Sequence, residues 1–273
     1  MRVILILLFI CAAIGADAQE YVWKFKSMDG SRTGCQAITA ENADQSVGYF
    51  LDGVYISPNG RRFSEGSTVC SVARIVMDAQ PEMARVKQVV GHSSMEMPNA
   101  KSETMLSRWF VDLLMNKVAS LSGKTVDVGI CNFGGIRIGM PEGDVMLDDI
   151  LSMFPFKNNL VYLEMKGSRL RTIFENMAAR KFHAVGGVKI TVEDKKLTSV
   201  LIGGEPLEDD KTYGVATISF LLDGGDSLTL SEGASGICIY DMYVADAVLE
   251  HLQALTAEGK SVTGNDIPCV TIK

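Results

Sequence analysis

Val126-Asp127-Val128-Gly129-Ile130-Cys131-Asn132-Phe133-Gly134-Gly135-Ile136-Arg137 runs from a short apolar segment straight into a loop with two adjacent glycines. Residues 126–130 predict a strand, and what surrounds it sets the fold class. Upstream, Ser102 is a candidate N-cap. Leu106, Trp109, Phe110, Leu113, Leu114 and Val118 then recur at the three-to-four spacing of one helix face. Downstream, Asp148 predicts the cap of a short helix and residues 160–165 a strand. Ser168 opens a helix with Leu170, Ile173, Phe174 and Met177 on one face. Residues 188–192, 197–202 and 213–218 read as strands, with Gly203-Gly204 turning between the last two. Val244, Val248, Leu252 and Leu255 mark a final amphipathic helix. Helices and strands that alternate without repeat, low-complexity tract or linker predict one α/β domain, of α+β type with a mixed sheet.

The region before this core differs in character. Arg2, an apolar run over residues 3–14 and Ala16-Asp17-Ala18 have the order of an export leader with a small-x-small cleavage site. The apolar run is too short to span a bilayer as a helix. The reading is a signal peptide over residues 1–18 and an exported, periplasmic or extracellular, mature chain from Gln19. Lipid anchoring at Cys11 is disfavoured by Ile10 before it. Residues 19–88 form an N-terminal extension, with a strand-like Tyr21-Val22-Trp23-Lys24-Phe25, a tight turn at Pro58-Asn59-Gly60 and a helix over residues 81–87. Cys35 and Cys70 are candidates for a bridge, whereas Cys131 and Cys238 read as small core residues.

Composition excludes several classes. The chain has 273 residues, 47% hydrophobic and 22% charged, with a formal net charge of −7. That usage is globular rather than disordered. An acidic chain without a basic run is unsuited to nucleic acid, whose phosphates call for clustered Lys and Arg. The only histidines are His92, His183 and His251, spaced too far apart for a helical or H-x-H metal pair, and each reads as a structural or surface residue.

Three loops carry candidate chemistry. In the first, Gly134 and Gly135 let backbone approach a ligand, and Arg137 offers a planar fork for phosphate or carboxylate, or else meets a local acid such as Glu142 or Asp144. The second, Phe154-Pro155-Phe156-Lys157-Asn158-Asn159, brings aromatic rings to a polar turn. In the third, residues 219–226, Phe220 precedes Asp223-Gly224-Gly225-Asp226, whose last acid suits a vicinal diol.

The order of these segments resembles the C-terminal, nucleotide-binding domain of the 5′-nucleotidase family. The resemblance spans residues 89–272. It takes in Gly91-His92-Ser93, Asn132 to Arg137, Gly143-Asp144-Val145, Phe154-Pro155-Phe156-Lys157-Asn158, Gly167, Tyr213-Gly214-Val215-Ala216-Thr217 and the Phe220 to Asp226 loop. It implies that Phe156 and Phe220 sandwich a nucleobase, that Asp226 accepts from ribose hydroxyls, and that Asn132, Gly134, Gly135 and Arg137 face the nucleotide or nucleoside, Arg137 toward its phosphate. Three positions depart from the family. Phe133 replaces a usual glycine, predicting a crowded pocket or a third ring. Lys101 stands in for an Arg, and Arg108 for an Asn.

In the family a separate domain holds two metals through Asp-x-His, Gly-Asn-His-Asp and Gly-His-x-His motifs, and none of these occurs here. The expectation is therefore no catalytic residue, metal ligand or cofactor in this chain. It would be the recognition component of an exported 5′-nucleotidase, acting in nucleotide catabolism by phosphomonoester hydrolysis, with the divalent metal in a separate metallophosphoesterase chain. A stand-alone nucleotide-binding protein is the alternative. Gly225-Asp226-Ser227-Leu228 also spells a serine-esterase signature, but Val248 stands where that family has the Asp three residues before its His, so Ser227 lacks an oriented base.

Overall fold

The computed structural model describes residues 47–79 and 84–273. The leader, the strand at residues 21–25 and Cys35 fall outside them. The chain divides between residues 80 and 81 into two compact units. In the first, β1 (Tyr49–Leu51), β2 (Val54–Ile56) and β3 (Arg62–Phe63) form an antiparallel sheet. The turn at Pro58-Asn59-Gly60 joins β2 to β3, with the Gly60 N–H donating to Ser57 O at 2.8 Å.

Helix α1 (Thr68–Asp78) follows, with Val69, Val72 and Val76 at helical spacing; Ser67 Oγ accepts from the Cys70 N–H and caps it. The helix expected over residues 81–87 is not seen at residues 84–87, which form turns; residues 81–83 lie outside the described set. Cys70 is a buried free thiol with its Sγ 3.8 Å from Gly53 O; its candidate partner Cys35 lies outside the described residues.

The second unit is the predicted mixed α/β domain. Its elements are β4 (Val89–Ser93), α2 (Met105–Ser122), β5 (Val128–Cys131), β6 (Gly143–Met146), α3 (Leu147–Met153), β7 (Asn159–Lys166), α4 (Gly167–Ala179), β8 (Ala184–Gly186), β9 (Val188–Glu193), β10 (Lys196–Ile202), β11 (Glu205–Pro206), β12 (Thr212–Ile218), β13 (Ala234–Tyr243), α5 (Val244–Ala257) and β14 (Val270–Ile272). The main sheet has the order β13-β7-β12-β5-β8. β5 and β12 are parallel, whereas β7, β8 and β13 run antiparallel to their neighbours. A smaller sheet, β11-β10-β9-β14, and the β4-β6 pair complete the unit. No helix among the described residues is long and apolar enough to cross a membrane.

Local chemistry moved several boundaries. Helix α2 starts from Thr104 rather than Ser102. Thr104 Oγ1 accepts from the Ser107 N–H at 3.2 Å while Ser107 Oγ accepts from the Thr104 N–H at 2.9 Å, a reciprocal cap. Helix α4 begins at Gly167, one residue before the expected Ser168. The Gly167 N–H finds Lys211 O at 2.9 Å, and a side chain at Gly167 would collide with Glu208 O. At α3 it is Asp149 rather than Asp148 that closes the start, accepting from the Met146 N–H at 2.7 Å. Gly203-Gly204 does turn the chain, but from β10 into the two-residue β11 before β12 is reached. Cys131 is buried as expected; Cys238 is exposed on β13, the outer strand of the sheet, and is not a core residue.

Helix α2 buries the anticipated face: Leu106, Trp109, Phe110, Leu113, Leu114 and Val118 are all buried, and Val111 joins them because the helix packs on the sheet and on α5 together. The fit against the sheet is set by two glycines. Gly129 of β5 and Gly186 of β8 are cross-strand partners. A Cβ on Gly186 would stand 2.6 Å from Val111 Cγ1, and one on Gly129 would overlap that atom and approach Met115 Cγ to 2.8 Å. Such overpacking costs about 1–3 kcal/mol. Gly129→Ala should therefore lower stability by that amount in chemical denaturation, and a second change, Val111→Ala, should recover part of it. A Gly129→Ala protein as stable as wild type would contradict this packing.

Candidate functional site

Four chain segments meet at one end of the main sheet because of strand direction. β5 and β12 are parallel, so the loops after Cys131 and after Ile218 emerge side by side. β7 pairs antiparallel with β12, with Ile218 opposite Leu160, so the segment leading into β7 arrives at the same end. β8 pairs antiparallel with β5, with Ala184 opposite Cys131, so the residues before β8 arrive there too. Thr217, fully buried, donates from Oγ1 to Ile130 O at 2.9 Å and ties β12 to β5 just below these loops. Ser219 Oγ accepts from the Asn159 N–H at 3.1 Å and joins the two aromatic loops.

Asn132, Gly134, Gly135, Arg137, Phe156, Phe220 and Asp226 line a single cavity of about 250 Å³ at this end, together with Asn158. The structure thus brings every sequence-nominated residue to one place. Asn158, the polar residue two after Phe156, joins them, and a lone turn asparagine carries no signal of such a place in the sequence. The Phe154-Pro155-Phe156 segment splits in role. Phe154 is a core plug, its ring 4.7 Å from that of Phe110, whereas Phe156 stays 48% exposed, as Phe220 stays 45% exposed. Large rings left half in water beside a cavity have apolar surface available to a ligand.

The polar groups are held for presentation. Asn132 is 5% exposed and donates from Nδ2 to Asp226 Oδ2 at 2.7 Å. Asp226 Oδ1 has no hydrogen-bond partner among the described residues, which leaves an acceptor free on a residue that lines the cavity. Asp226 adopts φ 48°, ψ 32°, and Gly224 before it φ 103°, a left-handed turn that Asp tolerates and glycine favours. Gly225 has a separate reason: a Cβ there would collide with Phe220 O and stand 2.8 Å from the Phe220 ring. The loop can therefore fold back on its own aromatic only with glycine at that position.

Arg137 is exposed and meets neither Glu142 nor Asp144; Asp144 instead lies 3.3 Å from His92. The Arg137 guanidinium donates to Gly134 O at 3.4 Å and sits 5.9 Å from the Phe156 ring centre. Phe133 neither crowds the cavity nor adds a third ring. It is buried in the core and forms a wall of the neighbouring cleft. Arg108 is likewise structural: its Nε donates to Asn265 O at 2.7 Å and it pairs with Glu103 at 3.3 Å. Glu103 in turn accepts from the N–H groups of Cys269 and Val270 and anchors β14.

The neighbouring cleft, about 540 Å³, shares Gly134 and Asp226 with the aromatic cavity and is otherwise lined by Lys101, Phe133, Asn176, Met177, Arg180, Lys181, His183, Ser227 and Leu228. Burial, with the charge of Lys181, holds the His183 imidazole below its usual range despite the opposing pull of Asp226. No hydrogen bond joins Ser227 to His183 or to any other base among the described residues, so the esterase signature is not built as a site. Cys131, beneath the loops, has its thiol pushed up to about 12, chiefly by burial and further by the Asp226 charge. It stays protonated and unreactive. Among the described residues the arrangement holds no activated nucleophile.

Nor do the described residues fit a metal centre. No three of their His, Cys, Asp and Glu side chains cluster to hold an ion. His92 has Asp144 alone, and His251 lies against Trp109 with ring centres 6.1 Å apart.

Comparison with known proteins agrees with this architecture. The family model described as "5'-nucleotidase, C-terminal domain" matches residues 82–232. The chain is 30% identical over 152 residues to the protein UshA of Salmonella pullorum, an alignment covering 53% of this chain and 28% of that protein. It is 28% identical over 145 residues to a 5'-nucleotidase of Vibrio cholerae, covering 51% of this chain and 26% of the relative. The chain thus spans little more than a quarter of the length of these curated relatives. The fold matches the crystal structure of a 5'-nucleotidase precursor from Thermus thermophilus with TM-score 0.65 and 21% identity, over 80% of this chain and 48% of that one. Sheet order, loop placement and a family match across more than half its length agree: the chain belongs to the family of the 5'-nucleotidase C-terminal domain.

Proposed function

We propose that this chain recognises a nucleotide or nucleoside through the aromatic cavity, as the recognition component of an exported 5′-nucleotidase. The observation that carries the reading is the convergence, on one cavity, of two half-exposed rings, a carboxylate with one free oxygen and a guanidinium without an acidic partner among the described residues. Phe156 and Phe220 offer stacking surface to a base. Asp226 Oδ1 accepts from ribose hydroxyls while Asn132 keeps the carboxylate oriented. Arg137 takes the phosphate, to which a guanidinium can give two parallel hydrogen bonds.

Hydrolysis of the phosphomonoester is assigned to a metal-bearing domain on a separate chain. Support comes from the donor chemistry: the described residues assemble no metal cluster and Cys131 is held as a neutral thiol. Two-metal hydrolysis needs several carboxylate and imidazole ligands around a pair of ions. The reading as a stand-alone binding protein uses the same cavity and differs only in having no catalytic partner.

Base stacking on an aromatic ring is worth about 1–3 kcal/mol. Phe156→Ala and Phe220→Ala should each weaken AMP binding about fivefold to a hundredfold in calorimetric titration. Because both rings are half exposed, the melting temperature should change little, whereas Phe154→Ala should cost about 3–5 kcal/mol of stability. Asp226→Ala should hurt adenosine more than its 2′,3′-dideoxy analogue, and Arg137→Ala should hurt AMP more than adenosine. Equal losses for every ligand would contradict these roles. The purified chain should not hydrolyse AMP above background with or without magnesium or manganese; turnover abolished by substitutions within this chain would contradict the division of labour.

A further inference from the structure

The cleft beside the aromatic cavity is cationic in an acidic protein. The chain carries a net −7, yet Lys101, Arg180 and Lys181 line one cleft with Asp226 as the only lining carboxylate among the described residues. None of the three takes part in any ion pair among the described residues, although seven such pairs hold other Lys and Arg side chains. Asp226 is itself engaged by Asn132 at 2.7 Å. Three basic side chains thus face a single lining carboxylate among the described residues.

Size points the same way. Small-molecule sites usually enclose about 300–1,000 Å³. The aromatic cavity offers about 250 Å³ and the cleft about 540 Å³, and the two meet at Gly134 and Asp226. Glycine at 134 leaves this ridge low; a Cβ there would come within 3.6 Å of Asp226 Oδ2. A ligand seated in the first cavity can continue over the ridge into the second. The placement is built by the sheet: Ala184 pairs with Cys131, so Arg180, Lys181 and His183, which lie between α4 and β8, reach the loop end where the nominated residues converge.

We propose that this cleft is a subsite for a second phosphate group on the bound nucleotide, with Arg180 and Lys181 as its principal donors. The inference rests on the nucleotide reading above and extends it to ligands with more than one phosphate. The shared chemistry is a phosphate dianion, carried either on a lengthened 5′ chain or on a ribose hydroxyl near Asp226. His183, held toward its neutral form, closes the inner side of the cleft without adding a charge.

Titration of the full chain with adenosine, AMP, ADP and adenosine 3′,5′-bisphosphate tests this and separates the two sources. In wild type, ADP or the bisphosphate should bind at least about tenfold more tightly than AMP, the size of one charge-assisted contact. In the Arg180→Ala/Lys181→Ala variant that ratio should fall to near one. In the charge-conserving Arg180→Lys/Lys181→Arg variant it should largely return, and thermal melting of both variants checks that the fold is kept. A gain for ADP alone places the second phosphate on the 5′ chain; a gain for the bisphosphate alone places it on the ribose. No gain for either ligand, or a gain that survives in the alanine variant, overturns the subsite while AMP binding leaves the nucleotide reading standing. No binding of any of the four overturns both.

Discussion

The parallel pairing of β5 with β12 is the constraint from which the site follows. Two parallel neighbours release their following loops at the same end of the sheet, and the antiparallel partners β7 and β8 deliver their preceding segments there. The buried bond from Thr217 Oγ1 to Ile130 O fixes how far each strand runs before its loop begins. A buried hydroxyl left without its partner would cost about 1–3 kcal/mol, so the junction resists sliding. α2 can press onto this part of the sheet only because Gly129 and Gly186 stand opposite each other beneath Val111. Packing, register and site geometry are here one problem.

Above that foundation the loops are ordered by contacts that hold their polar groups in fixed positions. Asn132 occupies one Asp226 oxygen and leaves the other without a partner among the described residues, so the carboxylate is held in one orientation. Gly225 lets its loop lie against Phe220, and Ser219 links the same loop to the strand after Phe156. Preorganisation of this kind lowers the ordering cost of binding. The buried thiol below, pushed up to about 12, and the absence of a base on Ser227 among the described residues leave the site without a nucleophile of its own.

Much of this was legible in the sequence where a residue's role depends on its neighbours along the chain. The apolar spacing of α2, the strand before Asn132 and the turn at Gly60 are local signals, and the nominated loop residues arrive in one cavity. Features decided by tertiary structure were not legible. Phe133 reads as an intruder, but the chain turns its ring into the core. β13 carries little signal because its residues are mostly exposed and only its last five alternate between exposed and half-buried. In α1, Val69, Val72 and Val76 do fall at helical spacing, but they stay exposed, and Cys70 is the helix's only buried residue. Arg180, Lys181 and His183 carry no motif; they become a cleft only through the register of β8 on β5. Arg108 departs from the family pattern, and its pairing with Glu103 beside β14 gives the physical reason.

The central claim is that Phe156, Phe220 and Asp226 act together on one ligand. A crystal structure of the chain grown with AMP tests it most directly. The account predicts an adenine ring stacked on both phenylalanines, with at least one ribose hydroxyl donating to Asp226 Oδ1 and the Asn132–Asp226 bond intact. An AMP molecule bound elsewhere on the chain, with the aromatic cavity unfilled at saturating ligand, would contradict it.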